Sequence, residues 1–199
     1  MSQTSFNDYS GKPLRAVTVY GSSTTKRGTP QWEEARRTGM LVAQAGFSVV
    51  TGGYCGSMEA VSEGARAGGA PEVVGVTVSS VFPQRDEQGN AFLTRQIDAA
   101  TLMERLHYLT SMTRYYIALP GSIGSLQEIL NIWTLSLLHG AGLPRPVIIL
   151  FREPWELCLR NVSSTINIEA ATLQILRFVD TPEEALEIIV ADDKSHGVS

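Results

Sequence analysis

The sequence predicts an α/β fold, a mostly parallel β-sheet with helices on both faces. Three observations carry that reading. Short apolar runs alternate with amphipathic helical segments, the order that builds parallel sheets. The strand runs are continuously apolar, as strands covered on both faces must be. Three of the loops that leave strands are rich in Gly and Ser, and ligands of such sheets bind beyond the carboxyl ends of the strands.

The elements follow in order. Residues 1–13 are polar and read as a tail. Ala16–Tyr20 is a short β-branched run, hence a buried strand, and it ends in Gly21-Ser22-Ser23. A polar loop leads to Pro30. Gln31–Ala45 places Trp32, Ala35, Met40, Leu41 and Ala45 between charges and predicts a helix closed by Gly46. Phe47–Val50 is the second strand, followed by the glycine turn Thr51-Gly52-Gly53-Tyr54-Cys55-Gly56. Ser57 takes the N-cap position of a helix to Arg66, which Gly68-Gly69 ends.

Val73–Val78 is the third strand. Ser79–Ala99 is polar, contains Pro83, Gly89 and Asn90, and reads as one long connection of the kind that is functional or mobile. Thr101–Met112 is a helix bearing Arg105; Tyr115–Leu119 is the fourth strand; Ile123–His139 is the next helix. Pro146–Phe151 is a strand, Glu153–Asn161 a short helix and Leu176–Val179 a last strand. Thr181-Pro182-Glu183-Glu184 opens the final helix with an N-cap, a proline at its first position and acidic residues in its first turn. Residues 192–199 read as a second tail, which leaves 14–191 as a single domain of ordinary size.

Composition narrows the function. A net charge of −4 argues against a broad nucleic-acid footprint. No apolar run approaches the ~20 residues of a membrane span, and the polar N-terminus is not a signal peptide. Two distant cysteines, Cys55 and Cys158, give neither a disulfide framework nor a zinc spacing, so a reducing cytosol fits best. Three scattered histidines predict no metal site. The lysines are Lys12, Lys26 and Lys194, none well placed for a Schiff base. No Gly-Lys-Ser/Thr exists, so there is no Walker A loop. No cofactor is therefore predicted.

The most informative stretch is Leu119-Pro120-Gly121-Ser122-Ile123-Gly124-Ser125-Leu126-Gln127-Glu128. There a strand hands over to a helix N-terminus, whose first N–H groups lack intrahelical partners and whose dipole favours an anion. A single glycine turn is as well explained by geometry. Three small-residue loops at one sheet edge favour an anion or nucleotide site. Glu128 lies about one turn into the helix; read alone it is an acidic residue worth only ~0.3–1 kcal/mol to the dipole. Arg105 read alone is a solvated helix charge beside an apolar stripe of Leu102, Leu106, Leu109 and Met112. Tyr54 and Cys55 flank the glycine turn and are placed to line a pocket. Cys55 has no adjacent base to make it a nucleophile, and Ser22-Ser23 is no Gly-x-Ser-x-Gly elbow.

Taken together these segments resemble the LOG (Lonely Guy) family, long labelled "lysine decarboxylase-like". Pro120-Gly121-Ser122-Ile123-Gly124-Ser125-x-x-Glu128 is similar to its Pro-Gly-Gly-x-Gly-Thr-x-x-Glu signature. Thr51–Met58 resembles its upstream glycine motif, Glu104-Arg105 its arginine motif, and Val19–Ser23 its first strand and loop. The resemblance implies a Rossmann-like domain that forms a homodimer. It also implies a phosphoribohydrolase that cleaves a nucleoside 5′-monophosphate, typically a cytokinin riboside 5′-monophosphate, to free base and ribose 5-phosphate. By the same resemblance Arg105 and Glu128 are the catalytic pair. Pro120, Gly121, Ser122, Ile123, Gly124 and Ser125 form the phosphate cradle, and Gly21, Ser22, Gly52, Gly53, Gly56 and Met58 complete the substrate site. The lysine count argues independently against decarboxylation.

The chain departs from the pattern at four positions. Leu106 replaces the lysine after the arginine, Ser122 the second signature glycine, Ser125 the threonine, and Glu59 the glycine after the upstream Met. These resemble a sister branch. Ser122 would be strained if its position needed a positive φ. The alternative function is a non-catalytic nucleotide-binding or sensing domain that keeps the cradle without turnover.

Overall fold

A computed structural model describes residues 15–81, 89–138 and 145–196. The N-terminal tail, residues 82–88 of the long connection, His139 and residues 197–199 lie outside the described residues. In chain order the elements are β1 (Ala16–Tyr20), α1 (Pro30–Gln44), β2 (Ser48–Thr51), α2 (Ser57–Ala67), β3 (Val73–Thr77), β4 (Arg95–Asp98) and α3 (Leu102–Ser111). There follow β5 (Tyr115–Ala118), α4 (Ile123–Leu137), β6 (Val147–Phe151), α5 (Arg152–Thr165), α6 (Ala170–Leu173), β7 (Leu176–Val179) and α7 (Pro182–His196).

The strands form one sheet in the order β4-β3-β2-β1-β5-β6-β7, every pair parallel. This is a Rossmann-type α/β fold. Side chains alternate across each strand, as the two-residue period requires. Val17, Val49, Ile117 and Ile149 pack on one face with Trp32 and Val42 of α1, Val61 of α2 and Ile189 of α7. Tyr20, Val50, Tyr116 and Ile148 pack on the other with Leu109 of α3, Ile129 and Trp133 of α4 and Leu159 of α5. Strand order reverses between β1 and β5, which makes their carboxyl ends the switch point of the sheet.

Several expected boundaries are corrected. The connection 79–99 contains a strand, β4, whose Arg95–Asp98 pairs with Val74–Thr77 of β3. At the sheet edge it is polar and incompletely buried, so it lacks the apolar run that marks the inner strands. The N-cap of α2 is Gly56, not Ser57. Its φ of 71° and ψ of −138° suit glycine, and a Cβ there would press on the backbone of Ser22 and Ser23. Helix α5 extends to Thr165, and a single turn, α6, follows it.

Helix α7 continues to His196 where a tail was expected from residue 192. Its last turns are fastened to the amino ends of the strands. Arg114 grips Asp192 through two nitrogens at 2.8 and 3.0 Å, and Tyr115 donates its hydroxyl to the same carboxylate at 3.0 Å. Arg15 pairs with Asp193 at 3.0 Å. Among the described residues no helix is long and apolar enough to cross a membrane.

Candidate functional site

The loops after β1, β2 and β5 meet at the switch point and are tied to one another. The Ser57 N–H donates to the Ser22 carbonyl at 2.8 Å, and Cys55 Sγ donates to the Ser23 carbonyl at 3.3 Å. The Thr25 and Ser57 hydroxyls share a hydrogen bond of 2.8 Å. Ser125 Oγ donates to the Gly21 carbonyl at 3.2 Å, which joins the first loop to the third. Space between the loops is tight: a Cβ on Gly21 would lie 2.7 Å from Ser57 Cβ, and one on Gly121 2.6 Å from Ser125 Cβ.

The third loop is open on its outer side. Ser122 is the N-cap of α4, and the first helical bond runs from the Leu126 N–H to its carbonyl at 3.0 Å. The amides of Ile123, Gly124 and Ser125 precede that bond and have no intrahelical partner. A Cβ on Gly124 would meet nothing within 4 Å, and Ile123 is 80% exposed. Ser122 has φ −122° and ψ −159°, ordinary extended backbone. The strain that a positive φ would impose on this departure from the signature is therefore absent.

Glu128 and Arg105 come together at the same edge of the sheet. Arg105 Nη1 lies 3.6 Å from Glu128 Oε1, and the two side chains are only 11% and 12% exposed. Arg105 also donates Nε–H to the Val76 carbonyl at 2.8 Å and Nη2–H to the Gly52 carbonyl at 3.2 Å. It thus bridges the carboxyl ends of β2 and β3 to α4. Burial drives the Glu128 carboxyl up from its ordinary 4.5 to about 7, while the Arg105 charge pulls it back down. Tyr20 lies close enough to feel both charges. Burial first, then Tyr116 and Glu128, hold its phenol well above 10. It stays protonated and donates to the Leu109 carbonyl at 2.9 Å.

The other named residues lie in the three loops at the switch point. Gly52, Gly53, Gly56 and Met58 are buried. Met58 packs against Gly52, where a Cβ would lie 2.6 Å from its sulfur. Gly21 and Ser22 are half-buried in the first loop, and Pro120 and Gly121 half-buried in the third. Glu59 turns to the β1–α1 loop instead, 3.8 Å from Arg27, which Glu63 also holds at 2.6 Å. This departure from the family pattern pins a loop. Leu106 is buried and lines a groove of about 430 Å³ with Ile123, Leu126 and Leu130. Trp133 belongs to the core, its indole N–H bonded to the Thr172 carbonyl at 3.0 Å.

Sequence reasoning passed over Asn90. Its N–H reaches the Gly53 carbonyl at 2.8 Å, and its side-chain amide reaches the Gly53 and Tyr54 carbonyls at 3.2 and 3.1 Å. A lone asparagine in a polar stretch carries no pattern that announces such a role.

Comparison with known proteins gives three kinds of likeness. The family described as "Possible lysine decarboxylase" matches residues 58–189. A cytokinin riboside 5′-monophosphate phosphoribohydrolase of Mycobacterium marinum is 28% identical over 162 residues, covering 78% of this chain and 83% of that protein. Its namesake in Mycobacterium tuberculosis is 25% identical over 162 residues, with 77% and 82% covered. The structural-genomics protein TM1055 superposes with a TM-score of 0.69 at 25% identity, over 89% of this chain and 99% of that one. The molybdenum cofactor binding protein of Rippkaea orientalis reaches the same TM-score at 18% identity, over 92% and 98%. At that identity the likeness establishes the fold alone.

Proposed function

This chain belongs to the "Possible lysine decarboxylase" family, the LOG family, and we propose that it is a phosphoribohydrolase of nucleoside 5′-monophosphates. The observation that carries the reading is the buried Arg105–Glu128 pair behind an open helix N-terminus at the switch point of the sheet. In this reading the 5′-phosphate sits on the amides of Ile123, Gly124 and Ser125, with Gly21 and Ser22 at its side. The ribose lies over Gly52 and Met58. Arg105 holds sugar or phosphate oxygens through its donor fork.

Cleavage builds positive charge on the ribose ring, which the Glu128 carboxylate offsets. Glu128 also takes a proton from the attacking water. The water oxygen bonds to C1′ while the C1′–N bond breaks, its electron pair leaving on the base. The relatives' printed names give a cytokinin riboside 5′-monophosphate, so an N6-prenylated AMP is the first nucleotide to test, with AMP beside it.

The purified protein is expected to release base and ribose 5-phosphate from AMP or an N6-prenylated AMP, followed by chromatography of the products. No release across a panel of nucleoside monophosphates, with folding verified, would overturn hydrolysis. Thermal stabilisation by the same nucleotides without release would instead assign the chain to non-catalytic nucleotide binding.

Homodimerisation is part of the same proposal. Ile123, Leu138 and Met103 expose large apolar side chains on α3, α4 and its C-cap, beside the groove lined by Leu126 and Leu130. Exposed apolar side chains, where they form a contiguous patch, mark an interaction site. Sedimentation equilibrium should return twice the chain mass at micromolar concentration; a monomer there would overturn the pairing. Two cysteines without a disulfide suit a reducing cytosol.

A further inference from the structure

We infer that Tyr54 is a positioning residue, whose ring holds the Arg105 guanidinium in place against Glu128; the inference rests on the hydrolase reading for its kinetic consequence. Tyr54 lies in the glycine turn after β2 and is buried. Its ring is fixed at both ends. The phenol oxygen accepts the Val78 N–H at 2.8 Å, and the main chain on either side of the Gly53–Tyr54 peptide is pinned by Asn90.

The register of these bonds matters. Val78 stands two residues after Val76, whose carbonyl receives Arg105 Nε–H, and Gly52 stands two residues before Tyr54. One stretch of β3 and one glycine turn therefore bracket the guanidinium. Two carbonyls take its edge, and the Tyr54 ring lies with its centroid 5.7 Å from Cζ. A cation at that separation from an aromatic face is attracted to it. Glu128 at 3.6 Å attracts the guanidinium by charge but is too far for a good hydrogen bond. The ring thus restrains the guanidinium in a direction that the carbonyls at its edge leave free.

The consequence follows from catalytic geometry. A guanidinium free to swing loses alignment with the transition state more than affinity for the ground state, so kcat falls more than KM rises. It also lowers the Glu128 carboxyl less, so the acidic limb of the pH profile moves to higher pH.

The test compares full-length wild type with Tyr54→Leu and Tyr54→Phe. The Leu variant should lose about 10-fold or more in kcat with KM within threefold, and its acidic limb should shift upward. The Phe variant, which keeps the ring, should stay within threefold of wild type. The Glu128 side-chain carboxyl, followed by ¹³C NMR and assigned with Glu128→Gln, should titrate at higher pH in the Leu variant. Wild-type kcat and an unmoved Glu128 titration in folded Tyr54→Leu would overturn the proposal. So would a Phe variant as impaired as the Leu variant. Should the Leu variant not fold, Tyr54→Met takes its place, with the same kinetic and Glu128 readouts and the same outcome for or against the restraint. If wild type releases no base, the hydrolase reading fails, and the Glu128 titration still tests Tyr54.

Discussion

Glu128→Gln should cut base release by at least 100-fold and, unusually for a buried substitution, make the protein relatively more stable as the pH rises. The rate loss follows from the role proposed for the carboxylate. Gln keeps the shape but neither takes a proton nor offsets the charge on the ribose, and losing a proton-transfer group typically costs 10²–10⁴-fold. In wild type, kcat/KM should climb with pH and level off above about 7, because only the ionised carboxylate serves as base. A variant within tenfold of wild type, or a wild-type profile that falls through neutrality, would remove Glu128 from this role.

The stability effect has a definite sign. The folded state holds the Glu128 proton more tightly than the unfolded chain does, because burial penalises the charge. Its contribution is fully favourable below the ordinary value of 4.5 and is lost progressively as pH rises towards about 7. Gln resembles the protonated acid at every pH. Each pH unit in that window widens the gap in favour of the variant by about 1.4 kcal/mol. Between pH 5.5 and 8 the gap should grow by about 2 kcal/mol, or roughly 4–8 °C in Tm for a chain of this size. Melting curves at the two pH values check it. A gap that does not widen would mean that the carboxylate is stabilised in the fold by more than Arg105.

These expectations depend on the burial of Glu128, and the sequence showed its position without its burial. Continuous apolar runs made the inner strands legible, and β1 was readable to the residue, because parallel strands covered on both faces must be apolar throughout. β4 was not, since an edge strand of Arg95-Gln96-Ile97-Asp98 buries too little to announce itself. The helix N-terminus after β5 was legible from Gly and Ser between a strand and an apolar-periodic run. What the composition of α4 held less openly is a periodic clue. Ser125, Glu128, Ile129, Ile132, Trp133 and Ser136 share one buried stripe at helical spacing. Two of the polar residues on that stripe, Ser125 and Glu128, are the ones that reach the site. Arg105 is harder, since its partners Val76 and Gly52 are backbone carbonyls brought near only by the sheet order. The roles of Tyr54 and Asn90 depend on the same long-range register.

Gly52→Ala should separate catalysis from folding. The φ of Gly52 lies outside the left-handed region, so an alanine there is not strained by its backbone. The obstacle is the guanidinium. A Cβ at position 52 would fall well inside van der Waals contact with Arg105 Nη2 and 2.6 Å from Met58 Sδ. Both are the ends of flexible side chains, and the nearest atoms to the added methyl include no backbone. The clash is therefore relieved by moving Arg105 and Met58, at a stability cost expected to stay near the lower end of the ~1–3 kcal/mol typical of overpacking. The displaced guanidinium gives up its bond to the Gly52 carbonyl and its place beside Glu128. Misplacing a reacting group by about 1 Å can cost on the order of 100-fold in rate. The expected result is thus a folded protein, within a few degrees of wild type in Tm, whose kcat/KM has fallen roughly 100-fold. Its acidic limb should also move upward, because the charge that lowers the Glu128 carboxyl has been pushed away. Near-wild-type turnover in Gly52→Ala would show that the Arg105 position against the glycine turn is not what the reaction uses.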